Sequence, residues 1–260
     1  MTPERLGGGG EPVIETPPFA AVVFDMDGVL TDTARMHFTA WKRLFDDALP
    51  RLGPDAAATF EMDDYLRLVD GRARLDGVRA VLAANGIDLP PGDAGDPPGT
   101  ASAWGLANRK DALFSEALGQ GGGAAFPSSA GFVGAVRAAG LATAVVTASR
   151  HRRDVLAAAG LDGLFDAHVD GDDAAELGLA GKPAPDMFLA AAARLGVEPA
   201  EAVVVEDAVA GVEAGRRGGF GLVVGVDRTG SGPALRAAGA DVVVGDLGEL
   251  RVAGVREPLR

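Results

Sequence analysis

The 260-residue chain contains no cysteine, which excludes disulfides, thiolate metal sites and cysteine nucleophiles. Histidine is confined to His37, His151 and His168, too few for a multi-histidine zinc site. Positive charge is short: 24 Lys and Arg against 37 Asp and Glu leave a net charge of −13. Such a surface argues against nucleic-acid binding. It also repels phosphorylated substrates at long range, so a phosphate site here must carry its own cations or a metal. No apolar run approaches the ~20 residues of a membrane span. The N-terminus lacks the apolar segment of a secretory signal. The expectation is a soluble, cytoplasmic monomer without nucleic-acid or membrane partners.

What is present falls into two patterns. Residues 1–18 are rich in Gly and Pro with no apolar period and read as a disordered leader. The apolar run Ala20 to Phe24 is the first strand. Helical patterns follow over Ala34–Leu49, Asp63–Val69, Arg74–Asn85 and Leu106–Leu118, interrupted by a Pro/Gly-rich loop from Leu89 to Ala103. After the Gly119–Gly123 cluster, helix and strand alternate. Strands are expected at Leu141–Thr147, near His168, at Ala202–Glu206, Gly221–Val226 and Asp241–Val244. Helices are expected at Ser129–Ala139, Arg150–Ala159, Pro185–Leu195, Ala208–Arg217 and Pro233–Ala238. Alternation of this kind predicts an α/β fold with a doubly wound, Rossmann-like parallel sheet. The core is expected over 19–33 and 120–250, a helical cap over 34–119, and a tail over 251–260.

Four signals fall at or beside the carboxyl ends of predicted strands, where open α/β sheets bind ligands. The first is Asp25-Met26-Asp27-Gly28 after the opening strand. Two nearby carboxylates repel unless a cation or hydrogen-bond donors compensate, which suits either a magnesium site or a carboxylate nucleophile beside an acid. The second is Thr147-Ala148-Ser149, where a hydroxyl and backbone N–H groups can hold a phosphate oxygen or simply cap a helix. The third is Lys182 before Pro183, a cation for a phosphate or a solvated loop lysine. The fourth is Glu206-Asp207, hard oxygen donors for magnesium or acids at a helix start.

Asp-x-Asp, Thr, Lys and Glu-Asp in this order resemble the haloacid dehalogenase superfamily of phosphotransferases, over nearly the whole chain after the leader. Residues Asp25 to Lys42, with Thr33, His37 and Trp41 among them, are similar to the start of the beta-phosphoglucomutases. That resemblance implies Asp25 as a nucleophile that becomes an aspartyl phosphate and Asp27 as general acid/base. It implies Mg2+ held by Asp25, the Asp27 backbone carbonyl and Asp207, with Glu206 supporting. Thr147 and Lys182 would hold the phosphoryl group, with Ala148 and Ser149 in the same loop. Thr33 and His37 would sit at the hinge beside Asp27. Gly71 to Arg74 resembles the family's substrate loop, Arg74 taking the place of a phosphate-binding arginine, and Lys110 resembles a substrate-recognising lysine. Arg74 and Lys110 also fit a solvated helix face. The family's Ser-Ala-Ser-Lys-Asn stands here as Thr147-Ala148-Ser149-Arg150-His151, which departs where distal phosphate or sugar contacts are expected. The implied reaction interconverts beta-glucose 1-phosphate and glucose 6-phosphate, with a sugar phosphate as the small-molecule partner. A sugar-phosphate phosphatase with the same core, or a non-catalytic binding protein, are the competing readings.

Overall fold

A computed structural model of the chain describes residues 12–15, 18–53, 56–57 and 59–254. Its main sheet has six parallel strands: β2 (Ala21–Asp25), β3 (Ala142–Val146), β4 (Ala167–Val169), β5 (Ala202–Glu206), β6 (Leu222–Val226) and β7 (Val242–Val244). Their order is β4-β3-β2-β5-β6-β7. In the register, Phe24 lies between Val145 of β3 and Val205 of β5. All five residues of β2 are buried, because this central strand has helices over both faces.

Side chains alternate across a strand, and the core divides accordingly. Val22 and Phe24 join Phe132, Val133 and Val136 of α5 (Pro127–Ala138) and Val155 and Leu156 of α6 (Arg152–Ala158) on one face. Ala21 and Val23 join Met187, Phe188 and Ala191 of α8 (Asp186–Leu195), Val212 of α9 (Val209–Arg217) and Leu235 of α10 (Gly232–Ala238) on the other. The sheet is therefore doubly wound, and all its strand ends that carry chemistry open on one edge.

Four helices stand between β2 and α5: α1 (Ala34–Leu52), α2 (Met62–Leu68), α3 (Arg74–Ala84) and α4 (Ala103–Gly119). Helix α1 buries Ala40, Trp41, Leu44, Phe45, Ala48 and Leu49, one stripe at helical spacing. Trp41 stacks on Phe45 at 5.5 Å between ring centroids, and Phe45 meets Phe60 at 5.2 Å. Helix α4 begins earlier than the sequence pattern suggests, because Ser102 caps it by accepting from Gly105 N at 3.0 Å. The loop before it folds back onto α4, with Asn108 Nδ2 donating to the Asp96 and Ala94 carbonyls at 2.8 and 3.1 Å. The two connections to this helical unit run side by side. Thr31 bridges Ala125, Asp32 N donates to Ala124 O at 2.9 Å, and Phe126 N to Leu30 O at 3.1 Å.

Three elements correct the sequence reading. Val13–Glu15 of the expected leader is a strand, β1, paired in parallel with β8 (Arg251–Ala253) of the expected tail. The remaining leader positions 1–11 and 16–17, and tail positions 255–260, lie outside the described residues. A further helix, α7 (Gly171–Leu177), follows β4, started by an Asp170/Asp173 capping box. Among the described residues no helix is long and apolar enough to cross a membrane.

Candidate active site

Asp25 is the last residue of β2 and 6% exposed. Lys182 Nζ donates both to Asp25 Oδ1 and to Oε1 of Glu206, the last residue of β5. Burial opposes the Lys182 charge, but the two carboxylates outweigh it and hold its pKa well above the ordinary value. Burial also dominates at Asp25, pushing its carboxyl well up despite Lys182. Glu206 is completely buried and accepts from Ala208 N at 2.7 Å. A Cβ at Gly211 of α9 would overlap the Glu206 carboxylate, so only glycine leaves room for it.

Asp27 is held differently. Its Oδ1 accepts from Thr33 Oγ1 at 2.5 Å and lies 3.3 Å from His37 Nε2, while Oδ2 accepts from Thr147 Oγ1 at 2.7 Å. Burial alone would raise its pKa. His37 and the bonds from His37, Thr33 and Thr147 outweigh that and hold it well below the usual carboxylate range. Thr147 is thus not a helix cap: α6 starts at Arg152, and Thr147 accepts instead from Ser149 N at 3.0 Å.

Behind His37 stands Lys110, whose Nζ lies 2.6 Å from His37 Nδ1. An ammonium can only donate, which assigns the His37 proton to Nε2, facing Asp27. The His37 ring stacks on Phe114 at 4.1 Å, and the Lys110 ammonium sits over Trp41 and Phe114 at 5.3 and 5.0 Å. Lys110 is 6% exposed, so the solvated-face reading fails for it. Burial lowers its pKa to about 8, and burial with Lys110 lowers that of His37.

A buried ammonium with a lowered pKa costs stability while it is charged. The unfolded chain binds its proton up to pH 10.5 but the folded chain only up to about 8. Stability therefore rises with pH between those values. Lys110→Met, which keeps the apolar stem, is expected to stabilise the fold at pH 7 by on the order of 1–3 kcal/mol. That gap should close as the pH rises through the same window. Denaturant unfolding at pH 7 and pH 10 measures it; an equal gain at both would disprove a charged Lys110 in the fold.

Gly71 has φ +69°, and a Cβ there would lie 2.9 Å from the Ala208 Cβ, so the loop after α2 touches the core just beyond Asp207. Arg74 faces the cavity but is engaged: Nη1 lies 2.7 Å from Asp111 Oδ1, and Nη2 3.5 Å from Asn108 Oδ1. His151 Nε2 approaches the same Asp111 oxygen at 3.2 Å and joins the helical unit to the core. Burial works against the Asp111 charge, yet His151 and Arg74 pull its pKa down to about 2.

The cavity enclosed by these groups is only about 60 Å³, space for a few waters. Asp25, Asp27, His37, Gly71, Arg74, Lys110, Thr147, Ala148, Ser149 and Asp207 line it. Lys182, Glu206 and Thr33 stand behind that lining: Lys182 and Thr33 hold its acids, and Glu206 holds Lys182. Sequence reasoning missed Tyr65, Asp70 and Asp111, which also line it, and gave no role of their own to Trp41 and Arg72 in the stretches it matched. Burial pushes Asp70 up to about 7 against its hydrogen bond with Tyr65.

The donor set fits a hard divalent cation. Oxygens of Asp25, Glu206 and Asp207 lie within 4.8 Å of one another, and all are carboxylates. The turn that closes on them needs Gly28: its φ is +92°, and a Cβ would overlap the Asp207 carboxylate. The Asp27 carboxylate is not among these oxygens.

Comparison with known proteins agrees with this constellation. The family model of the haloacid dehalogenase-like hydrolases matches residues 19–219. The chain belongs to that family. A Mycobacterium bovis protein named beta-phosphoglucomutase is 47% identical over 237 residues, 88% of this chain and 90% of the relative. A Mycobacterium leprae trehalose-phosphate phosphatase is 44% identical over 117 residues, 44% of this chain and 25% of that protein. Among solved structures, a Clostridium difficile beta-phosphoglucomutase covers 89% of this chain and 92% of its own with TM-score 0.70. At 22% identity that likeness speaks for the fold alone. As a family member the chain is an enzyme of the haloacid dehalogenase group, homologous to beta-phosphoglucomutases.

Proposed function

We propose that the chain is a magnesium-dependent phosphotransferase that interconverts beta-glucose 1-phosphate and glucose 6-phosphate through a glucose 1,6-bisphosphate. The observation that carries this reading is the pairing of Asp25 and Asp27 in one small cavity roofed by the helical unit. A mutase must keep water from an aspartyl phosphate while the bisphosphate turns over, and a helical roof over Asp25 and Asp27 serves that need.

Phosphoryl transfer asks mainly for positioning and charge neutralisation. Asp25 would attack phosphorus in line, and the phosphorus–oxygen bond to the sugar would break. Ionised Asp27, as its Thr33, His37 and Thr147 partners hold it, is the form that takes a proton from the incoming sugar hydroxyl. The same proton then goes to the departing sugar oxygen on the return step, so Asp27 ends as it began. Lys182 and Thr147 would hold the phosphoryl oxygens. Magnesium on Asp25, Asp207 and the Asp27 carbonyl, with Glu206 beside them, would neutralise further charge on the group in flight.

A phosphatase acting on a sugar phosphate is the second reading, favoured by the resemblance to a trehalose-phosphate phosphatase. One incubation separates the two: protein, magnesium, beta-glucose 1-phosphate and a trace of glucose 1,6-bisphosphate. Glucose 6-phosphate is the expected product; free phosphate in its place would favour hydrolysis. Exhaustive chelation is expected to abolish turnover and added magnesium to restore it. Persistence of turnover after chelation would rule out the metal's role.

A further inference from the structure

Arg228 lies outside the lining of the catalytic cavity, on the loop between β6 and α10, yet it reaches the turn that carries Asp27. Its Nε donates to the Gly28 carbonyl at 3.2 Å. Its Nη1 donates to the Gly245 carbonyl at 3.2 Å and to Asp246 Oδ2 at 2.7 Å, just beyond β7. The guanidinium also lies over the Phe126 ring, 3.8 Å from its centroid. Phe126 stands where the chain returns from the helical unit, and its N–H donates to Leu30 O. One side chain thus joins the catalytic turn, the end of β7 and the return connection.

Stability alone would not select this arrangement. Nη2 of Arg228 is buried and meets no acceptor, and a buried unpaired donor is destabilising. What the guanidinium provides is two arms in one rigid plane, Nε on the turn and Nη1 on the residues after β7. The loop that presents it is itself anchored: Asp227 N donates to Val244 O at 2.7 Å, and Ser231 N to Asp227 Oδ1 at 2.7 Å.

The turn needs such an anchor. Asp25 ends β2, so Asp27 and Gly28 lie beyond the strand. Gly28 holds a φ of +92°, with the Asp207 carboxylate where a Cβ would stand. Its N–H donates to Thr31 O at 2.8 Å, and the N–H groups of Leu30 and Thr31 both donate to Met26 O. These bonds close the turn on itself, and Arg228 ties it to the β6 and β7 side of the core. The same turn sets where the Asp27 carboxylate meets Thr33, His37 and Thr147.

We propose that Arg228 is a positioning residue that holds the Asp27–Gly28 turn and, through it, the Asp27 carboxylate. The proposal rests on the reading of Asp27 as acid/base. Proton transfer requires that carboxylate to be placed within a fraction of an ångström. Asp25 is set by the ladder of β2, where it pairs with Val146, and depends on the turn far less.

The test compares beta-glucose 1-phosphate with an aryl phosphate on the full chain with magnesium. Arg228→Ala is expected to lower kcat for the sugar phosphate on the order of 10²-fold with KM little changed. The aryl phosphate, whose leaving group needs no proton, should lose far less. Free guanidinium ion should restore part of the loss. In a chain already carrying Asp27→Asn, Arg228→Ala should remove nothing further from the sugar reaction, because it acts through Asp27. Arg228→Lys returns the charge over Phe126 without the two-armed plane; it should show the same selective loss to a smaller degree, and it decides the matter if Arg228→Ala does not fold. Equal losses on both substrates, or additive losses in the Asp27→Asn chain, overturn the proposal. If Asp27→Asn alone shows no selective loss, the acid/base reading fails and this proposal with it. Selective loss in Asp27→Asn without it at position 228 overturns the proposal alone.

Discussion

In an Asp25→Asn protein, phosphoryl transfer is expected to fall by more than about 10⁴-fold while the chain keeps its fold. Asparagine has the same shape but lacks the anionic oxygen proposed to attack phosphorus, and it takes one negative charge from the carboxylate cluster. The cost to the fold is small for a definite reason. Burial already disfavours the Asp25 carboxylate, and Glu206 and Asp27 add repulsion. Removing the charge relieves both, while Lys182 exchanges one of its two anionic acceptors for a neutral amide oxygen. The melting temperature should stay within about 4 °C of the parent, the shift that roughly 1 kcal/mol produces in a chain of this size. Circular dichroism and a steady-state assay on one preparation measure both. Turnover comparable with the parent in a folded protein would remove Asp25 from the nucleophile's role.

Asp27→Asn should separate proton transfer from phosphoryl capture. The amide placed there could still hydrogen-bond Thr33 and Thr147, accepting from one and donating to the other, but could not take up a proton. Conversion of the sugar phosphate is expected to drop on the order of 10²–10⁴-fold, the usual worth of a positioned acid/base. An aryl phosphate, whose leaving group needs no protonation, should lose much less. Similar losses on both substrates would assign Asp27 to shape or metal placement instead.

The core was legible because the candidate catalytic residues of β2, β3 and β5 stand at the ends of strands that announce themselves. Val22 to Phe24, Ala144 to Val146 and Val203 to Val205 are apolar runs buried on both faces, and the polar residue after each run is conspicuous.

The rest was hidden for physical reasons. Strands β1 and β8 are three residues each and pair across almost the whole chain, too short for any period to register. Helix α7 buries no residue, so it has no apolar face; its mark is the Asp170-x-x-Asp173 capping box. In the helical unit, the sequence marks Arg74 as a phosphate-binding candidate but not the acid that holds it. That acid is Asp111 on α4, which meets Arg74 only in the folded chain. Asp70 and Tyr65 carry no motif at all, and only folding brings them to the cavity.

The paired connections at Thr31 and Ala125 bear on how such an enzyme can diversify. Both ends of the helical insertion leave the core as hydrogen-bonded neighbours, so the gap it fills is already closed. An insertion with touching ends can be lengthened, shortened or exchanged without moving the strands on either side. The proposed nucleophile Asp25, Lys182 and the carboxylate cluster all belong to the part left undisturbed. Substrate choice and bond-making chemistry can therefore change on separate evolutionary schedules, the first by remodelling a module and the second hardly at all.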